Sequence, residues 1–373
     1  MAKSLRGFLA IVGFLATLPF AAQATTIGFT TTTFAVGSLP EDIIPVLSTF
    51  GSAPAGSYLV TDPTQNFTGT GTVWSVPAGG GTPTSFLNLG TIQPIGGLFL
   101  PSAYGANAGN LLLAGLDTNT GFATTIVYNS SGLPVSPDGV VETPGTSRFA
   151  DVAIAPAGFD SAGGDVIMAN EDGSLYVLNP ADLSASLLAG GTLPTGNSEY
   201  PFGLAFAPGG FGSEGGDLLI TSGQDGSIYE LSPTGNLSLF TTVPLGPGQV
   251  GLRQLAFAPA GFGAYGGDLM VSVSGSTTGG GIAGSVDVLD SSGNVIAYLS
   301  EGTVGNPYDP RGIYFAGTSQ VLINNADPGV IAAAPSQFTL GNPASVPEPS
   351  TALLVLLGLP LLRFAKSAKR SRS

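Results

Sequence analysis

The chain has 373 residues, 43% of them hydrophobic and only 9% charged, with 57 Gly, 29 Pro, no Cys and no His. This balance fits a folded chain, because disorder goes with low hydrophobicity and high charge density. The missing residues exclude disulfides, thiol nucleophiles, thiolate or imidazole metal sites and the Ser-His-Asp triad, so a metal would have to be held by oxygen ligands such as suit calcium or magnesium.

The formal net charge is -14, and between Thr25 and Ala344 the only basic residues are Arg148, Arg253 and Arg311. Nucleic acid binding through phosphate contacts needs a basic surface, so this composition argues against it.

At the N-terminus, Lys3 and Arg6 precede the apolar stretch Phe8 to Phe20, and Ala22-Gln23-Ala24 follows. A positive region, an apolar region and an A-x-A site form a secretory signal peptide. The apolar stretch is short for a membrane span. We therefore expect residues 1–24 to be removed between Ala24 and Thr25, leaving a mature chain outside the cytoplasm.

Beyond it, Thr26 to Val36 is rich in Thr and Phe and is expected as a strand that closes a ring against the last unit. Gly56-Ser57-Tyr58-Leu59-Val60 with Thr72-Val73-Trp74-Ser75-Val76 reads as a first, weak unit. One phrase then recurs. It runs Phe206-Ala207-Pro208-Gly209-Gly210-Phe211-Gly212-Ser213-Glu214-Gly215-Gly216-Asp217 in the best copy, with others at 154–167 and 257–270 and a degraded one at 99–112. Prolines 101, 156, 208 and 259 are spaced by 55, 52 and 51 residues. A period near 50 residues indicates a propeller or an array.

Within the best unit, strands are predicted over 203–207, 217–221, 227–231 and 237–243. Asp225-Gly226 marks a tight hairpin, since both central residues of such a turn need positive φ. Four short strands per repeat describe a propeller blade. Arg311 to Phe315 with Gln320 to Ile323 reads as the last unit. The fold class expected for 25–345 is therefore an all-β propeller of six blades of four antiparallel strands, with a seventh blade as the alternative count.

Pro201-Phe202-Gly203-Leu204-Ala205-Phe206, Gly216-Asp217-Leu218-Leu219-Ile220 and Asp225-Gly226-Ser227-Ile228-Tyr229 together resemble NHL-repeat and gluconolactonase-like propellers. The resemblance runs through roughly 95–335. It implies a central channel in which the hydrolase relatives hold a divalent metal with Glu, Asn and Asp. No matching set is legible in this sequence, and the loop from Pro208 to Gly216 is longer and richer in Gly than those relatives imply.

Three sets of side chains are candidates for function. Asp165, Asp217 and Asp268, with Asp160 and Glu214, could supply oxygen ligands for calcium on a Gly-permissive backbone. The plainer reading, which we favour, is that Gly supplies positive φ and close packing while the acids face solvent. Arg148, Arg253 and Arg311 precede inner strands and are expected to converge near the axis. There they could bind an anion, or, as we favour, pair with acids such as Asp151 or Asp309. Trp74, Tyr200, Tyr265 and Tyr308 could stack on sugars, although strand aromatics are more often buried.

The C-terminus reads Val346-Pro347-Glu348-Pro349-Ser350, a Leu-rich run to Leu362, and a tail with Arg363, Lys366, Lys369, Arg370 and Arg372. The run is shorter than the roughly 20 residues that span a bilayer, and the basic cluster should stay cytoplasmic. Segment 346–373 resembles the PEP-CTERM sorting domain of exported Gram-negative bacterial proteins. That resemblance implies an exosortase-type enzyme as partner, a short apolar C-terminal helix as a transient inner-membrane anchor, and delivery to the cell surface or an extracellular matrix. The body would then be a non-catalytic binding or scaffold module with no cofactor, extracellular polysaccharide being one partner. The alternative is a calcium-dependent lactonase or related hydrolase of the gluconolactonase-like type.

Overall fold

A computed structural model describes residues 30–335, apart from 36–37, 65–66, 68, 136–139, 144–146, 195–200, 224, 247–248, 276–283, 300–308 and 327–329. The expected signal peptide, with Ala24 and Thr25, and the sorting segment 346–373 lie outside the described residues. No helix among the described residues is long and apolar enough to cross a membrane.

The described strands form six four-stranded antiparallel sheets. Sheet 1 contains Ile43–Pro45, Tyr58–Asp62, Gly71–Val76 and Thr84–Gly90. Sheet 2 contains Ile92–Phe99, Leu111–Asp117, Phe122–Tyr128 and Val140–Thr143. Sheet 3 is Phe149–Ile154, Val166–Asn170, Ser174–Leu178 and Ala185–Thr192. Sheet 4 is Pro201–Phe206, Leu218–Ser222, Ser227–Leu231 and Leu237–Thr242, within two residues of the expected strands. Sheet 5 is Gly251–Phe257, Leu269–Ser274, Ser285–Leu289 and Val295–Leu299.

Sheet 6 is built from both ends of the body. Pro310–Phe315, Gln320–Asn325 and Val330–Pro335 are joined by Thr32–Thr33, which pairs antiparallel with Val330 and Ile331. This is the expected closing strand. It supplies the fourth strand of the last sheet and ties the two ends of the body together, which closes the ring.

The sheets pack face to face in a closed ring. Successive residues of a strand point to opposite faces, so the second strand of each sheet serves two seams. In sheet 4, Leu218 and Ile220 join the core shared with sheet 3, while Leu219 joins the core shared with sheet 5. In sheet 6, Val321 and Ile323 face sheet 5, and Leu322 faces Tyr58 and Val60 of sheet 1. That double duty is why these strands read as unbroken apolar runs.

The recurring glycine phrase also serves the seams. Phe159, Phe211 and Phe262 are each at most 3% exposed. They meet Phe206, Phe257 and Phe315 of the next sheet edge to face, with centroids 4.8–4.9 Å apart. Such pairs add about 0.5–1.5 kcal/mol beyond the area they bury. The loop closes identically each time: the amides of Ala155, Ala207 and Ala258 donate to the carbonyls of Asp165, Asp217 and Asp268. Gly164, Gly216 and Gly267, just before those acids, have φ of 90°, 100° and 93°, a region that L side chains avoid. The long loop is thus a tether for a phenylalanine inserted between sheets.

Candidate functional site: the central channel

The inner strands begin at the axis with a charged layer. Arg311 lies 3.2 Å from Glu41 and 2.6 Å from Asp309, and Ser274 Oγ donates to the other Asp309 oxygen. Arg148 pairs with Glu171, and its guanidinium lies 4.2 Å from the centroid of the Phe67 ring, close enough for a cation–π contact.

These groups perturb one another. Burial raises Glu41 and Glu171, with Arg311 and Arg148 opposing it respectively. Burial also pushes Asp309 upward, but the charges of Arg311 and Arg253 outweigh it and hold the carboxyl below its ordinary value. Arg253 is brought down to about 10 by burial and by Arg311. For Arg311, burial is outweighed by Asp309 and Glu41, so its pKa rises. Three arginines therefore meet three acids, and the layer carries little net charge.

One residue further along the inner strands lies a ring of different chemistry. Sheets 1, 3 and 5 contribute Asp42, Asp151 and Gln254, while sheets 2, 4 and 6 contribute Gly96, Gly203 and Gly312. Each polar side chain bridges forward to the next sheet. Asp42 Oδ2 accepts from the Gly97 amide at 3.0 Å, Asp151 Oδ2 from Leu204 at 2.8 Å, and Gln254 Oε1 from Ile313 at 3.1 Å. Across the axis, Gln254 Nε2 donates to Asp42 Oδ1 at 3.0 Å.

The glycines make room for the alternate residues. A β-carbon on Gly96 would stand 2.9 Å from the Asp151 Cα, and one on Gly203 only 2.7 Å from the Gln254 Cα. Behind this ring, hydroxyls stitch the same seams: Thr61 Oγ1 donates to the Ile95 carbonyl at 2.6 Å, Thr221 Oγ1 to Arg253 at 2.7 Å, and Ser272 Oγ to Arg311 at 2.7 Å.

The expected arginine convergence is observed, and so is the pairing of Arg311 with Asp309. The expected pairing with Asp151 is not. Arg148 starts two residues further back, so its partner is Glu171, and Asp151 belongs to the polar ring. Asp165, Asp217 and Asp268 are not brought together, because each sits in the loop of its own sheet, 3, 4 or 5. No group of three acids able to hold a metal occurs among the described residues. Trp74 donates from Nε1 to Asp62 at 2.8 Å, and Tyr265 packs half-buried against the core of sheets 5 and 6. Tyr200 and Tyr308 lie outside the described residues.

The divalent metal implied by the hydrolase resemblance does not fit the channel described. Glu41, Glu171 and Asp309 each hold an arginine, and a dication would have to displace or sit beside those cations. Asp42 and Asp151 accept backbone amides instead, and burial raises both, with the Asp42 charge adding to the rise at Asp151. Sequence reasoning missed Glu41, Asp42, Glu171 and Gln254. The signal for Asp42 and Gln254 was a period of two sheets, polar then Gly, lying across the single-sheet repeat that the glycine phrase advertises.

Comparison with known proteins yields fold alone. No family model matches the chain, and no curated protein matches its sequence. Among solved structures, a candidate gluconolactonase superposes with a TM-score of 0.53 at 15% identity, covering 84% of this chain and 94% of that one. A gluconolactonase from Xanthomonas campestris gives 0.52 at 14% identity, covering 80% and 87%. Hydrazine synthase from Kuenenia stuttgartiensis gives 0.50 at 11% identity, covering 79% and 75%. At such identities what is shared is architecture, and architecture hosts unrelated chemistries. The chain folds as an all-β propeller of the kind found in gluconolactonase-like proteins.

Proposed function

We propose that this chain is an exported propeller, sorted by an exosortase-type system to the cell surface or an extracellular matrix, where it binds or scaffolds without hydrolytic chemistry. The observation that carries the second half of this reading is the commitment of the axial acids. Glu41, Glu171 and Asp309 are held by arginines, and both oxygens of Asp42 and of Asp151 accept backbone amides. Among the described residues no three of these acids gather into a metal shell, so the lone pairs left on Asp42 and Asp151 can accept a hydrogen bond but do not assemble a metal-activated base. Export and sorting rest on the tripartite pattern of 346–373 and on the leader at 1–24.

The alternative, a calcium-dependent lactonase of the gluconolactonase-like type, draws on fold likeness only. Two experiments separate these readings. Purified full chain is assayed against a panel of aldonolactones with millimolar calcium, and the binding reading expects no turnover above the buffer rate. Fractionation of cells expressing the chain with and without 346–373 tests sorting. Surface delivery that survives the deletion overturns that part, and measurable lactone hydrolysis overturns the other.

A further inference from the structure

A cavity of about 330 Å³ opens beyond the polar ring, toward the C-terminal ends of the inner strands and away from the arginine layer. This lies at the low end of the roughly 300–1,000 Å³ typical of small-molecule sites. Its walls include Ile44, Leu98, Phe99, Val152, Leu255 and Ile313, and its floor is Asp42, Asp151 and Gln254. Of the lining residues only Asp42 and Asp151 ionise, and no cationic side chain faces them. Asp151 is 5% exposed, while Asp42 keeps a face open toward the cavity.

A carboxylate offers roughly four acceptor positions. Asp42 uses three, for the amides of Ile43 and Gly97 and for Gln254 Nε2. Asp151 uses two, for the amides of Val152 and Leu204. About three positions remain at the end of an otherwise apolar chamber, matching the three N–H donors of a primary ammonium.

We propose that this cavity binds a small primary aliphatic amine, its ammonium seated against Asp42 and Asp151 and its hydrocarbon lying along the Ile, Leu and Phe wall. A cation there offsets the mutual repulsion of two buried carboxylates, and an apolar body is favoured over an amino sugar because the wall side chains Ile44, Leu98, Phe99, Val152, Leu255 and Ile313 carry no hydrogen-bonding group. The assignment deepens the binding reading above and rests on it. Lactone turnover overturns that reading whether or not an amine binds, whereas failure of amine binding overturns this inference alone.

The test is calorimetric titration of the full chain with hexylammonium, 1-hexanol, hexanoate and glucosamine at neutral pH. Hexylammonium is expected to bind at least tenfold more tightly than hexanol and glucosamine, with hexanoate silent. Asp151→Asn should weaken hexylammonium at least tenfold while leaving hexanol within twofold. Equal affinity for amine and alcohol, tighter binding of glucosamine, or no heat with millimolar hexylammonium would overturn the proposal. These comparisons need only the unmodified protein, so they decide the matter even where the Asp151→Asn variant does not fold.

Discussion

Replacing Gly203 by Ala tests the geometry of the polar ring with a single methyl group. The added β-carbon would stand 2.5 Å from the Arg253 carbonyl oxygen and 2.7 Å from the Gln254 Cα. Both obstacles are backbone of sheet 5, so no rotamer change relieves them, and the seam between sheets 4 and 5 must open. Overpacking costs roughly 1–3 kcal/mol, and a clash with backbone belongs at about 3. For a chain of this size that lowers the melting temperature by roughly 6 °C, at about 2 °C per kcal/mol. Gly209→Ala is the control: it lies in the neighbouring loop, and a β-carbon there meets nothing within 4 Å. Calorimetric unfolding of both variants should separate them by most of that interval. Equal melting temperatures would refute the packing argument and the alternation built on it.

Other expectations follow from the same physics. Phe211→Ala should cost about 3–5 kcal/mol in urea unfolding, whereas Asp217→Asn, in the same loop, should change stability by well under 1 kcal/mol. Tyr104→Phe removes a hydroxyl that donates to the Leu178 carbonyl at 2.7 Å and accepts from the Val166 amide at 2.9 Å. Leaving both groups buried and unpaired should cost about 1–3 kcal/mol each. Asp287 is raised by burial from 3.8 to about 6. The folded state therefore binds its proton more tightly than the unfolded state, and the stability this gives is present below pH 3.8 and lost as pH rises through 6. Asp287→Asn should thus raise the melting temperature at pH 7.5 and leave it unchanged at pH 3.5; the same rise at both would contradict the assignment.

Much of the architecture was legible in the primary structure because its signals are local and repeated. The proline spacing gave the unit, the Asp225-Gly226 turn placed a hairpin, and the Thr-rich segment near Thr32 announced the closing strand. Convergence of Arg253 and Arg311 followed from their common offset at the start of inner strands, and Arg148, two residues further back in its unit, joins them. What stayed hidden depends on which residues face each other across the axis. Asp42 and Gln254 are 212 positions apart yet share a hydrogen bond, and nothing local in either segment marks that contact. Glu171 was hidden for a related reason: it follows the second strand of sheet 3, away from the inner strand that Arg148, with which it pairs, precedes. The glycine phrase drew a metal hypothesis because Gly and Asp together suit calcium loops. Its actual work is done by the phenylalanine in its middle.

The most direct test of the account is a calcium titration of the EDTA-stripped full chain, followed by thermal unfolding. A specific site stabilises the folded state by mass action, by about 2.7 kcal/mol at a hundredfold excess over its dissociation constant. With the axial acids held by arginines and backbone amides, millimolar calcium should leave the melting temperature where millimolar magnesium leaves it. A calcium-selective rise of several degrees, abolished by Glu41→Gln, would show that the arginine layer yields to a metal and would contradict the account.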